Sequence, residues 1–259
     1  MIGIDLAGSS VCVSGGAGSI GLATAHALVD AGADVIILDR TVEQVGAAAA
    51  SLTERGGRAH GVAVDIRDPK AVSSALEEVT SGLAPLAGLV NAAGLLRTGS
   101  LEEMPPEQWD EIHSVNVKGT YICSRATLPY LKKASNAAIV NVSSVSAFIG
   151  SDEGFAYTST KGAVLSFTYG IAGDLAPDGI RVNAVCPGWV SGGFTQQAMD
   201  ASDNPEALVD MASKLHYLGR MATTSDVANA IVWLLSPLAC FVTGTALFID
   251  GGYMVKRGL

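Results

Sequence analysis

Tyr157 and Lys161 are four residues apart, a spacing that on a helix puts both side chains on one face, about a turn from each other. A phenol with its ordinary pKa near ~10 is a poor base at neutral pH. A neighbouring ammonium, together with a positively charged ring bound beside it, favours the phenolate, and a fall to about 8 would correspond to ~2.7 kcal/mol. Ser144 closes an apolar run, Ala138 to Ser143, and offers a hydroxyl able to polarise an oxygen held beside that phenol. Tyrosine and lysine at this spacing also occur as an ordinary helix-surface pair. The chemistry they suggest is proton exchange with an oxygen atom.

A second cluster lies near the N-terminus, Ser14-Gly15-Gly16-Ala17-Gly18-Ser19-Ile20-Gly21, directly after a β-branched run. Glycine lets the chain bend tightly and approach a pyrophosphate, and the N–H groups of the following helix are free to receive it. Gly16-x-Gly18-x-x-Gly21 fits the dinucleotide fingerprint, although a chain with 30 glycines produces such spacings by accident. Asp39 strengthens the reading. It ends the second apolar run 18 residues beyond Gly21, near the ~20 at which a carboxylate meets the adenosine ribose. A carboxylate there accepts from ribose hydroxyls and repels a 2′-phosphate, which favours NAD; Arg40 follows it and leaves NADP open.

These residues need a frame that brings them together. Short β-branched runs (Ser10 to Ser14, Asp34 to Asp39, Ala59 to Asp65, Leu86 to Asn91, Ala138 to Ser143, Ile180 to Val185 and Thr245 to Ile249) alternate with helical spacing at Ile20 to Ala31, Val42 to Arg55, Glu107 to Leu131, Phe155 to Ala176 and Thr224 to Leu235. Strands apolar on both faces, alternating with helices, predict an α/β, doubly wound, seven-stranded parallel sheet covered by helices on each side. Right-handed crossovers put all the C-terminal strand ends on one edge, where ligands bind. Six of the seven runs end in special residues: the glycine cluster, Asp39, Asp65, Asn91-Ala92-Ala93-Gly94, Ser143-Ser144 and Pro187-Gly188. No composition break marks a second domain within 1–259. The stretch from Pro187 to Gly219 breaks the rhythm and reads as an insertion at about 188–219 with a short helix in it.

The formal net charge is −9, and Lys and Arg cluster nowhere beyond Lys132-Lys133, which argues against nucleic acid and anionic membranes as partners. Every apolar stretch is broken well short of the ~18 residues needed to span a bilayer. The four cysteines, Cys12, Cys123, Cys186 and Cys240, are far apart; buried thiols fit better than bridges, and neither they nor the histidines have metal-ligand spacing. The opening Met1-Ile2-Gly3-Ile4-Asp5 has no basic region or apolar signal segment, so a cytoplasmic protein without a metal is expected.

At this point the chain resembles the short-chain dehydrogenase/reductase family in its single-domain form, from Ser14 to Gly252. The family's glycine turn falls on Ser14, Gly15, Ser19 and Gly21, and its adenine-holding acid on Asp65 with Ile66. Its N-N-A-G element matches Asn91 to Gly94, and its helix asparagine matches Asn116 in Val115-Asn116-Val117-Lys118-Gly119. The family's catalytic serine stands thirteen residues before the tyrosine, which selects Ser144 over Ser143. Pro187-Gly188, Thr243-Gly244 and Asp250-Gly251-Gly252 match its later motifs.

The resemblance implies a Rossmann-like fold and hydride transfer between NAD(H) and a secondary alcohol or ketone, on the pro-S face of the nicotinamide. Tyr157 would exchange the proton, Ser144 would hold the substrate oxygen, and Lys161 would lower the tyrosine pKa and hold the nicotinamide ribose. Asn116 would position a water that links Lys161 to solvent. The cofactor contacts implied are Gly15, Ser19, Ile20, Gly21, Asp39, Arg40, Asp65, Ile66, Asn91, Ala92, Gly94, Tyr157, Lys161, Pro187, Gly188 and Val190. A homotetramer built on the two longest helices and the last strand is implied as well.

Two departures stand out. Ser19 takes the place of the turn's middle glycine, and Gly192 stands where a threonine often bonds the nicotinamide amide; either Thr195 moves in or that contact is missing. Ala147, Phe148, Ile149, Trp189, Phe194, Met199 and Met211 are candidates for the pocket wall, and Asp152 and Glu153 for its mouth. The acidic insertion favours a neutral or cationic substrate over one bearing CoA or phosphate. Two rival functions keep the fold: a catalytically silent NAD-binding sensor or scaffold, and another reaction such as epimerisation, dehydration or enoyl reduction. Enoyl-reducing relatives space their tyrosine and lysine more widely.

Overall fold

The computed structural model describes residues 3–150 and 154–256. Seven parallel strands form one sheet in the order β3-β2-β1-β4-β5-β6-β7. They are β1 (Ser10–Ser14), β2 (Asp34–Asp39), β3 (Ala59–Ala63), β4 (Leu86–Asn91), β5 (Ala138–Val142), β6 (Arg181–Pro187) and β7 (Ala246–Ile249). The order reverses between β1 and β4, which leaves a crevice beyond their C-terminal ends. The helices are α1 (Ser19–Asp30), α2 (Val42–Glu54), α3 (Pro69–Thr80), α4 (Pro106–His113), α5 (Thr120–Leu131), α6 (Phe155–Leu175), α7 (Gly193–Asp200), α8 (Pro205–Lys214) and α9 (Thr224–Leu235).

The alternation of side chains along each strand sorts the apolar residues into two cores. Val11, Val13, Val35 and Ile37 face one side with Leu28 of α1 and Ile231 of α9. Cys12, Ile36, Leu38 and Leu89 face the other with Leu76 of α3 and Cys123 of α5. Strands β1 and β5 are buried throughout and β2, β4 and β6 at all but one residue each, as strands apolar on both faces must be. The edge strands depart from that expectation: β3 exposes His60 and Gly61, and β7 is only partly covered. Edge strands have one neighbour fewer, and this β3 carries small or polar residues that lose little in water.

Two differences correct the sequence reading. The helix expected over Glu107 to Leu131 is two helices, α4 and α5, joined by a π-helical turn at Ser114–Gly119. A methyl on Gly119 would meet Ile66 Cδ1 at 2.5 Å, so the wide turn packs against the Asp65-Ile66 segment only because residue 119 has no side chain. The insertion holds two helices, α7 and α8, instead of one. Helix α3 stands between β3 and β4, where the alternation calls for a helix: Asp68 caps it by accepting from Lys70 N and Ala71 N, and Pro69 begins it. No helix among the described residues is long and apolar enough to cross a membrane.

Candidate active site

Strand β1 delivers the glycine turn to the crevice. Gly15 has φ +67°, and a methyl there would stand 2.5 Å from Ala93 Cα, so the turn lies directly against the segment that follows β4. A side chain on Gly21 would overlap the Gly15 carbonyl, which lets α1 start flush against the turn. Its N-cap, Gly18, provides no side-chain cap, so the first N–H groups of α1 stay open toward the crevice. Asp39 is tied into the same turn: its carboxylate accepts from Ala17 N at 3.1 Å and from Arg40 N at 2.8 Å. The surface left is bare backbone beside one carboxylate, a cradle of the kind a dinucleotide needs.

Asp65 lies two residues beyond the end of β3 and its carboxylate is held by Arg67 through the Arg67 backbone and guanidinium. That pairing keeps Asp65 below the usual carboxylate range. Asn91 has turned inward. Its amide donates to Ser124 Oγ at 3.1 Å and Asn141 Oδ1 at 2.8 Å, and Asn141 in turn donates to Thr168 Oγ1 on α6. This polar chain braces the floor of the site, with Ala92, Ala93 and Gly94 as the surface above it.

Tyr157 and Lys161 rise from the first two turns of α6. The Lys161 ammonium lies over the Tyr157 ring, 5.4 Å from its centroid, and donates to Val142 O at 2.8 Å. Ser143 donates to the Lys161 carbonyl at 2.9 Å and is thereby committed to the scaffold. Ser144 is the serine that faces the phenol; its Oγ accepts from Ser146 N at 3.1 Å. The π-turn aims Asn116 at the loop after β4, where Oδ1 accepts from Leu95 N at 2.7 Å. Its Nδ2 donates to Leu95 O at 2.9 Å and to Thr160 Oγ1 at 3.0 Å. A methyl on Gly94 would stand 3.8 Å from both Asn116 Oδ1 and Lys161 Nζ. The line from Gly15 through Ala93 and Gly94 to Lys161 is therefore continuous.

The ammonium by itself does not lower the phenol pKa; the expected fall needs the positive charge of the nicotinamide as well. In the protein alone, burial dominates and pushes Tyr157 up to about 12, with the Ser144 hydroxyl opposing it. Lys161 is 5% exposed, and burial brings it down to about 8. The ammonium sits over the ring face instead of against the hydroxyl, so it does not overcome desolvation there.

The expected pocket wall is assembled only in part. Phe194, in the first turn of α7, meets the Tyr157 ring edge-on, with centroids 6.1 Å apart and planes at 85°. Phe148 is 42% exposed and packs at a tilt of 49° against Phe248 of β7 instead, with centroids 4.9 Å apart. Met199 lines a groove of about 470 Å³ between α7 and α8, and Met211 is exposed on α8. Thr195 is buried. Asp152 and Glu153 lie outside the described residues.

The sequence reading passed over His216. It is 2% exposed, bonds Ala212 O through Nδ1 and accepts from Trp189 N through Nε2, and a methyl on Gly188 would stand 2.6 Å from Nε2. It thus pins the Pro187-Gly188 corner, while Val190 pairs with Ala222. No sequence signal marked it, because its partners are backbone atoms. Among the described residues no group of three or more His, Cys, Asp or Glu could hold a metal ion. Cys12, Cys123 and Cys186 are buried free thiols and Cys240 is an exposed one.

Comparison with known proteins follows the same outline. A family model described as Enoyl-(Acyl carrier protein) reductase matches residues 15–254. The chain is 37% identical over 243 residues to 2-(S)-hydroxypropyl-CoM dehydrogenase 3 of Xanthobacter autotrophicus, covering 93% of this chain and 95% of that protein. It is likewise 37% identical over 243 residues to cyclopentanol dehydrogenase of Comamonas testosteroni, covering 94% and 96%. Among solved structures, ligand-free aldohexose dehydrogenase of Thermoplasma acidophilum superposes with a TM-score of 0.89 at 31% identity, over 99% of this chain and 98% of that one.

Proposed function

Since the chain belongs to the short-chain dehydrogenase/reductase family, we propose that it is an NAD(H)-dependent oxidoreductase that interconverts a secondary alcohol and a ketone. One observation carries the reading. A phenol, an ammonium over its face and a serine hydroxyl meet at the strand edge, joined by continuous contact to an uncapped glycine turn. A surface helix pair would have no reason to share a crevice with such a turn. The named activities of the relatives, on a hydroxypropyl group and on cyclopentanol, fit an alcohol dehydrogenase.

In this reading Gly15, Ser19, Ile20 and Gly21 receive the pyrophosphate, and Asp39 with Arg40 faces the adenosine ribose. Asp65 and Ile66 hold the adenine; Asn91, Ala92, Gly94, Pro187, Gly188 and Val190 line the remaining length. A bound nicotinamide supplies the hydride donor or acceptor. Tyr157, whose phenol burial pushes up in the protein alone, gives its proton to a developing alkoxide during reduction. To accept that proton in oxidation it must start as the phenolate, a form that the Lys161 cation and the positive charge of an oxidised nicotinamide would both favour. Ser144 orients the substrate oxygen. Asn116 fixes the loop around Lys161 and carries the water-linked path to solvent, and Thr195 is the residue left to meet the nicotinamide amide.

Asp39 supports NAD over NADP, since a 2′-phosphate would sit against its carboxylate. Arg67, the other nearby cation, is spent on Asp65. The same logic bears on substrate. Both cations of 188–220 are engaged, Lys214 by Asp210 at 2.6 Å and Arg220 by Asp226 at 2.7 Å, so the insertion offers no free charge for a phosphate or CoA group. A neutral alcohol or ketone fits, and the four-residue spacing of Tyr157 and Lys161 favours it over an enoyl thioester. We include in the proposal a single catalytic domain, a homotetramer and a cytoplasmic setting.

The test is a panel of secondary alcohols and ketones with NAD(H) and NADP(H), followed at the nicotinamide absorbance, with neutral cyclic substrates expected to outpace acyl thioesters. Tight NADH binding with no turnover of any substrate would favour the silent sensor instead.

A further inference from the structure

At the start of α7 the chain comes down on the glycine turn. A methyl on Gly193 would stand 2.5 Å from Ser19 Oγ, and one on Gly192 3.5 Å from Ser19 Cβ. A side chain at 193 would force the Ser19 hydroxyl out of its present position, so the hydroxyl in the turn and the bare backbone opposite it are matched. Gly192 and Gly193 also hold φ of +100° and +54°, a bend that side chains resist on their own account.

The segment before this bend is fixed. Ser191 N donates to Ala222 O at 2.8 Å and Ala222 N to Trp189 O at 2.9 Å. Whatever freedom the insertion has at this end therefore begins at the two glycines. The residue directly after them is Phe194, edge-on to Tyr157. Neither α1 nor α7 has a side-chain cap, so both present open N–H groups where they meet.

We propose that Ser19 is the seat on which residues 192–194 close, so that the Ser19–Gly193 contact sets the position of Phe194 against Tyr157. Ser19 is then a positioning residue for the substrate side of the site, acting from within the turn assigned to the dinucleotide. The contact itself stands on geometry; its kinetic consequence rests on the oxidoreductase reading. A larger residue at 193 displaces Phe194, loosening the pocket around the reacting carbon. Removing the serine side chain makes room for that larger residue.

The experiment is a double-mutant cycle of Ser19→Gly and Gly193→Ala. Alanine at φ +54° is strained in both backgrounds, whereas the overlap with Ser19 Oγ exists in only one, so the cycle isolates the contact. Amide hydrogen exchange over 192–196 is read without nucleotide. Gly193→Ala should speed it roughly tenfold when Ser19 is present and at most about threefold in the Ser19→Gly background. In turnover, the same rescue should appear in kcat and in KM for the alcohol, while KM for NAD follows Ser19→Gly alone. Equal effects of Gly193→Ala in both backgrounds overturn the seat. Should Gly193→Ala fail to fold, Ser19→Thr, which adds a methyl beside the glycines, must speed exchange over 192–196; unchanged exchange overturns the proposal. Failure of wild-type protein to bind NADH would refute the oxidoreductase reading, and the exchange cycle would still decide the seat.

Discussion

Replacing Lys161 by methionine should stabilise the protein at neutral pH while abolishing its activity. The lysine is 5% exposed, and burial lowers it from the ordinary 10.5 to about 8. A folded-state pKa below the unfolded one means that the unfolded chain binds the extra proton between about pH 8 and 10.5. Wild-type stability must therefore rise across that window, and below pH 8 the whole penalty is present. A drop of this size corresponds to roughly 3 kcal/mol. Methionine matches the stem but leaves Val142 O without its 2.8 Å partner, a loss of about 1 kcal/mol. The net gain at pH 7 is then about 2 kcal/mol, or a melting temperature higher by roughly 4–8 °C at the ~2–4 °C per kcal/mol usual for chains of this length.

The assay is thermal melting of both proteins from pH 6.5 to 10.5 at fixed concentration. The advantage should shrink above pH 8 and vanish before pH 10.5, with turnover lost at every pH. A variant that melts below wild type at pH 7, or a difference flat in pH, would show that the ammonium is not paying the desolvation the geometry assigns to it. Such a trade of stability for function is expected where a charge is buried in order to act on its neighbour.

Tyr157→Phe should reduce turnover by roughly 10²-fold or more through loss of the proton donor, with NADH affinity held within about threefold; near-normal rates would remove Tyr157 from the mechanism. Asp39→Ala should weaken NADH binding and improve NADPH binding, closing the preference by about tenfold or more, read by nucleotide fluorescence titration. An unchanged ratio would place the adenosine ribose elsewhere. Thr223→Ala removes the reciprocal cap with Asp226 at the start of α9 and should lower stability by about 1 kcal/mol without changing KM, as seen by denaturant titration alongside kinetics.

Much of the site was legible because its signals are local. A strand followed by Gly15 to Gly21, an acid ending the next strand and a tyrosine four residues before a lysine each lie within one or two elements. Their common edge follows from the handedness of the crossovers alone. Ser143 is bonded to the Lys161 carbonyl while Ser144 faces the phenol, a difference between adjacent residues that their position in the chain does not show. Where the reading went astray, the deciding partner was distant in sequence. The π-turn that splits Glu107 to Leu131 packs Gly119 against Ile66, a residue far away along the chain.

The amino-acid sequence by itself determined the layered α/β architecture, the chemical groups and the strand ends that carry them. Apolar periodicity and glycine positions are properties of short segments, and they survive without knowledge of what lies opposite. Only the tertiary structure decided the protonation of Tyr157 and Lys161, the role of His216 and the meeting of Ser19 with Gly193. Each of these is set by burial or by contact between residues far apart along the chain. Desolvation and steric overlap depend on what surrounds an atom in space, and no spacing along the sequence records that.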